Sequence, residues 1–153
     1  MQDEVFYYES PLGLITYAWD GKSCREIWLQ CGPETGLCGD DPVSDWLKAY
    51  FSGEDCPLPP MAESRTTFQA VMRAALLEIP YGETSTYGEL AKRLHTAPRA
   101  MGQALGANPL PLLIPCHRIV AANGLGGFAC GLEWKRRLLA FEQSGRSESG
   151  GLF

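Results

Sequence analysis

Three prolines in ten residues, CPLPPMAESR (56–65), divide this chain more firmly than any other feature. Proline offers no backbone N–H and fixes φ, so such a run neither extends a helix nor sits inside a sheet. It reads as a linker, and the character of the sequence changes across it. Before it, apolar residues fall in short β-rich runs; after it, they recur with the helical period. A length of 153 residues is enough for one compact domain or two small ones. The expected fold class is mixed α/β (α+β). Residues 1–64 form a small β-rich domain with its linker, residues 65–146 form a second domain, and residues 147–153 form a flexible tail.

The run VFYYESPLGLITYAWDGKSCREIWLQ carries strand residues interrupted at Ser10-Pro11 and at Asp20-Gly21, the latter a hairpin signal. Gly and Asp cluster from Cys31 to Asp41, which predicts loop. Val43 to Phe51 reads as a short helix with Trp46, Leu47 and Tyr50 on one face, stopped by Ser52-Gly53. After the linker, Phe68, Val71, Met72, Ala75, Leu76 and Ile79 follow the i, i+3, i+4 rule and predict an amphipathic helix. Pro80-Tyr81-Gly82 ends it. Thr86-Tyr87-Gly88-Glu89 has the form of a capping box and opens a helix to Leu94. The turn HTAP (95–98) leads to another helix, from about Arg99 to Gly106.

Two short helices with a tight turn fit a helix-turn-helix, and equally a plain helical hairpin, because periodicity does not separate them. Ala100, Gly102, Ala104, Gly106 and Ala107 make the second helix slim. A slim helix suits a narrow nucleic-acid groove, and it suits close helix–helix packing as well. Met101 and Leu105 form its core-facing stripe.

The segment IPCHRIV (114–120) sets a thiol beside one of the chain's two histidines. A thiolate is the reactive form of cysteine, and an imidazole can generate it. Neighbours on an extended strand point opposite ways, so Cys116 and His117 need a bend or a bridging water to communicate. Prolines at 109, 111 and 115 suggest an irregular approach that supplies one. In the last helix Trp134, Leu138, Phe141 and Glu142 share a face, which turns the Glu142 carboxylate inward, where a charge needs a partner. His117 is a candidate, giving Cys–His–Glu; a helix-end Glu bonded to backbone or solvent is the plainer alternative.

The net charge of −5 conceals an asymmetry. Residues 1–64 hold 3 basic and 12 acidic side chains, whereas residues 65–146 hold 10 basic and 5 acidic. A basic second half is compatible with a polyanionic partner, and also with an ordinary solvated surface. The stretch PLPLLIP is too short to span a bilayer. The acidic N-terminus is unlike a secretory signal, so the expected location is the cytoplasm. Cys24, Cys31 and Cys38 recur every seven residues, which is not a zinc-module spacing, and they are expected to be reduced thiols with no bound metal.

PCHR, preceded by NPLPLLI and followed by NGLGGFACGLEWKRRLLAFE, closely resembles the O6-alkylguanine-DNA alkyltransferase family. YGETSTYGELA, PRAMGQALGANP and WLKAYFSGE fit the same pattern, so the resemblance covers residues 43–143. It implies a C-terminal winged helix-turn-helix that binds duplex DNA containing O6-alkylguanine and flips the modified base out of the stack. It implies irreversible transfer of the alkyl group to the protein's own cysteine, by a monomer without cofactor and without membrane association. Carried over, Cys116 is the acceptor, His117 takes its proton through a water, and Glu142 orients the imidazole. Tyr87 supplies a proton to the departing guanine and meets the DNA. Arg99 fills the space left by the base, with Ala100 and Gly102 on the DNA-facing helix. Asn108 braces the active-site turn, and the loop of Phe128, Ala129 and Cys130 walls the substrate pocket. Arg118 is expected to be structural, satisfying buried carbonyls.

Three positions depart from the family pattern. Phe128 stands in place of a tyrosine, Arg73 in place of a tryptophan, and Cys130 where a small residue, often glycine, is usual. The added bulk of Cys130 is expected to disfavour benzyl relative to methyl groups. Two other functions use the same residues: a damage-binding relative that does not transfer the alkyl group, and a cysteine hydrolase that turns over.

Overall fold

The computed structural model of the protein describes residues 4–29 and 37–149. Two compact units divide it, Met1–Glu63 and Ser64–Phe153. In the first, strands β1 (Glu4–Ser10), β2 (Gly13–Trp19), β3 (Cys24–Leu29) and β4 (Leu37–Cys38) form a sheet of order β3-β2-β1-β4, followed by helix α1 (Pro42–Ser52). Both hairpins form where the turn residues predict them. Ser10 Oγ accepts from the Leu12 and Gly13 amides, and Asp20 Oδ1 accepts from the Lys22 and Ser23 amides. β4 pairs parallel to β1, inside the stretch expected to be loop.

Central strand β2 buries Ile15, Thr16, Tyr17 and Ala18 in succession, so both of its faces are covered. Asp41 caps α1 in a capping box with Ser44 and also accepts from the Tyr17 hydroxyl at 2.8 Å. Gly53 closes the helix at φ 73°. Val43, Leu47 and Tyr50 are its buried face, while Trp46 stacks on Tyr50 with ring centroids 5.2 Å apart. The proline-rich segment is not a free linker throughout. Cys24 N donates to Pro60 O and Ala62 N donates to Cys24 O, both at 2.8 Å, so the segment lies extended against the start of β3.

In the second unit, α2 (Thr67–Leu77) is capped by Thr66 Oγ1, which accepts from Gln69 N. The helix stops at Leu77, short of Ile79, and Val71 is 46% exposed rather than in the core. Met72, Ala75 and Leu76 already complete the buried stripe, which leaves Val71, about 100° around the helix from Met72, on its flank. Strand β5 (Ser85–Thr86) runs into α3 (Tyr87–Arg93), and α4 (Pro98–Gly106) follows. The Thr86–Glu89 capping box forms as expected, and Met101 and Leu105 are the buried stripe of α4. A 3-10 turn (Cys116–Arg118) leads into β6 (Ile119–Val120), which pairs parallel with β5. Cys116, His117 and Arg118 therefore enter one end of a two-residue ladder, and Tyr87 leaves from the other. Helix α5 (Leu132–Ser149) completes the unit. It takes in 147–149 of the expected tail, and residues 150–153 lie outside the described set.

Candidate active site

Residues Leu110 to His117 are buried without a break. Leu112 takes φ 80°, a left-handed value that a bulky side chain adopts only when its surroundings enforce it. The Ile114 amide closes back on Leu110 O at 3.0 Å, and the turn presents Cys116. The bend that a Cys–His pair requires is the 3-10 turn itself. Cys116 is 7% exposed. Asn108 spans the turn: its Nδ2 donates to Ile114 O and to Cys116 Sγ, each at 3.2 Å, while its Oδ1 accepts from Leu110 N. That last bond fixes which end of the amide faces the sulfur. Burial pushes the Cys116 thiol up from its ordinary value, and the Asn108 hydrogen bond and the Lys135 charge pull it back down.

Behind the thiol, His117 is wholly buried and its Nε2 lies 2.7 Å from Glu142 Oε2. The carboxylate also accepts from Arg118, Nε to Oε1 and Nη2 to Oε2, both at 2.9 Å, and from Gly82 N at 3.1 Å. Burial alone would raise the Glu142 carboxyl; the hydrogen bonds from His117 and Arg118 outweigh it and hold it at about 2. An ionised carboxylate only accepts, so Nε2 carries the imidazole proton and Nδ1 carries the lone pair. Nδ1 is buried and has no hydrogen-bond partner among the described residues. Burial holds the imidazole below its usual value against the pull of Glu142, and the Arg118 charge adds to that depression.

Arg118 is thus more than the carbonyl-satisfying group expected from sequence. It donates to Ile79 O at 2.9 Å but gives its other face to Glu142 in a bidentate pair.

A cavity of about 510 Å³ opens over Cys116, walled by Tyr87, Pro98, Arg99, Gly102, Leu105, Gly106, Gly127, Phe128 and Ala129. The Tyr87 hydroxyl sits on Gly127, accepting from its N–H at 3.1 Å and donating to its carbonyl at 3.2 Å. Gly126 makes this approach possible. It takes φ 78°, and a Cβ there would meet the Tyr87 ring at 2.7 Å. Lys135 is fully buried on the face of α5 that carries Glu142, and its Nζ donates to the same Gly127 carbonyl at 2.9 Å.

Hydrogen bonds therefore join Cys116 to Asn108 and, as a separate set, His117 and Arg118 to Glu142, the turn Cys116–Arg118 carrying one member of the first set and two of the second. The cavity joins Cys116 to Tyr87, Arg99, Gly102, Phe128 and Ala129. Ala100 and Cys130 are not among the residues walling the cavity, although each adjoins one that is. Lys135 is not singled out in the sequence, and Gly82 reads there only as part of a helix stop. Lys135 stands seven residues before Glu142, two helical turns on the same face, and that spacing was the available signal. Among the described residues no His, Cys, Asp or Glu cluster could hold a metal ion; Cys31 lies outside them. No helix among them is long and apolar enough to cross a membrane.

The family model described as the DNA-binding domain of 6-O-methylguanine DNA methyltransferase matches residues 67–144. A methylated-DNA–protein-cysteine methyltransferase of Methanosarcina acetivorans is 40% identical, with 90% of this chain and 96% of that protein covered. One from Saccharolobus islandicus is 37% identical over 88% of this chain and 92% of its own length. The crystal structure of Mycobacterium tuberculosis OGT in complex with DNA superposes with a TM-score of 0.78 at 34% identity, covering 92% of this chain and 93% of that one.

Proposed function

Since the chain belongs to the methylated-DNA–protein-cysteine methyltransferase family, a DNA-repair transfer of an alkyl group from O6-alkylguanine in DNA to its own cysteine is its activity, and we propose that Cys116 is the acceptor. The observation that carries this assignment is the thiol at the cavity wall with Asn108 on its sulfur and the buried His117–Glu142 pair behind it.

In this reading residues 65–146 are the catalytic, DNA-binding winged-helix domain, and residues 1–64 with their linker are a separate domain. The Cys116 proton passes through a water to His117 Nδ1, the nitrogen left with a lone pair by the Glu142 contact. The thiolate then attacks the alkyl carbon in line, the S–C bond forms as the C–O6 bond breaks, and the electron pair stays on the guanine. Tyr87 gives that base a proton. Glu142 stabilises the imidazolium without taking its proton, consistent with a carboxyl held near 2. Arg99 enters the stack as the base leaves it, Ala100 and Gly102 let α4 press into the minor groove, and Phe128 stacks on the extruded base. The chain works as a monomer in the cytoplasm, where its DNA substrate lies, and requires no cofactor.

The test is the mass of the protein after incubation with a duplex containing O6-methylguanine. One added methyl on the Cys116 peptide, and no second one with excess DNA, is the expected result. Methyl on another thiol displaces Cys116, unmodified protein that still binds the lesion makes the chain a damage-binding protein, and repeated product release makes it a hydrolase.

A further inference from the structure

Lys135 has no carboxylate partner among the described residues, although it is 0% exposed. An ammonium taken out of water without a counterion is costly. What it does have is the Gly127 carbonyl at 2.9 Å and the Tyr87 ring, whose centroid lies 5.7 Å from Nζ. The Gly127 carbonyl accepts from the Tyr87 hydroxyl as well, so one oxygen holds the phenol and the ammonium side by side. The approach is built into the backbone, since only glycine at 126 leaves room for the ring.

The charge balance of the reaction says what such a cation is for. The Cys116 proton ends on His117, and the negative charge left on sulfur moves to the guanine as the C–O6 bond breaks. When Tyr87 protonates that base, the charge comes to rest on the phenolate oxygen. We infer that Lys135 is the counterion of this phenolate: a positioning residue that acts through Tyr87 on the leaving-group end of the transfer. The inference rests on the reading of Tyr87 as proton donor given above. It explains why a cation is retained where no resident anion balances it: the anion appears only during turnover.

The effect of Lys135 on the Cys116 thiolate must be separated from its effect on Tyr87. Iodoacetamide does this, because its iodide leaves without a proton and its rate reports the thiolate alone. Single-turnover transfer from O6-methylguanine duplex and iodoacetamide alkylation of Cys116 are measured for wild type, Lys135→Met, Tyr87→Phe and the double variant. Lys135→Met is expected to slow methyl transfer by about tenfold more than it slows iodoacetamide, and this excess is expected to vanish in the Tyr87→Phe background. Lys135→Arg keeps the charge and should restore most of the excess, which also guards against a misfolded Lys135→Met protein. Equal slowing with both reagents, or an excess that survives loss of the phenol, overturns the inference while leaving the repair activity standing. Failure of wild type to take up methyl while Cys116 still reacts with iodoacetamide removes the functional reading itself.

Discussion

Each unit of this protein buries a cysteine, and the two thiols have opposite surroundings. Cys24, at the start of β3, is 0% exposed, donates weakly to Glu26 O at 3.8 Å, and is pushed up to about 12 by burial, with the nearby Asp41 and Asp20 charges adding to the rise. Cys116 is also raised by burial, but its neighbours, an amide N–H and a lysine, act in the other direction. Cys24 is wholly buried at the start of β3, whereas Cys116 forms part of the wall of a cavity. Burial is common to both and so explains neither; the sign of the adjacent charge and a place in a cavity wall are what suit Cys116, and not Cys24, to the acceptor role proposed above.

The sharpest way to break this comparison is to exchange the sulfur for oxygen at each site. Cys116→Ser should abolish methyl uptake in the mass assay while retaining duplex binding, whereas Cys24→Ser should leave the transfer rate within about twofold. Next in size, Glu142→Gln should slow transfer by about 10²–10⁴-fold. It should also cost about 3–5 kcal/mol of stability in urea titrations, because Arg118 and His117 lose the charge they share. The sign of its pH dependence follows from a folded value below the ordinary 4.5. The stability that ionised Glu142 contributes is fully present above 4.5 and is lost as pH falls through that value towards about 2. Acid unfolding followed by tryptophan fluorescence should lose this part of its pH dependence in Glu142→Gln.

Smaller again, Asn108→Ala removes a hydrogen bond worth about 1.5–3 kcal/mol to a thiolate, so iodoacetamide alkylation of Cys116 should slow by roughly ten- to a hundredfold. The least effect on chemistry is expected in the first unit. Asp41→Ala should cost about 1–2 kcal/mol in thermal unfolding, from the lost cap and the stranded Tyr17 hydroxyl, with the transfer rate unchanged. A comparable loss of transfer there would mean that the two units do not divide the labour as their thiols suggest.

The same contrast runs through what the sequence made legible. Signals that act within one turn of chain were readable: the Thr86–Glu89 capping box, the Asp20-Gly21 hairpin and the inward phase of Glu142 all formed as expected. Pairings that depend on distant segments were not. β4 beside β1 rests on only two residues of register, Phe6 with Leu37 and Tyr7 with Cys38, too few to imprint an alternation. Val71 shows how a clean helical period overstates burial, because the period marks a stripe and not how wide a neighbour covers it. Lys135 and Arg118 were missed as partners of the chemistry for a different reason. Long cationic side chains are ordinarily surface groups, so composition argues against burying them, and only the geometry around Gly127 and Glu142 reveals why these two are inside.

The two hydrogen bonds between Cys24 and the Pro60–Ala62 stretch move the seam of the molecule downstream. A protease probing the folded chain should spare the prolines and nick near Ser64, where the strand-like anchoring has ended and α2 has not begun. For the same reason a shortened N-terminal fragment that stops at 56 would strip the edge of β3 and expose a raw ladder to aggregation, whereas one that runs to 63 would keep that border hemmed.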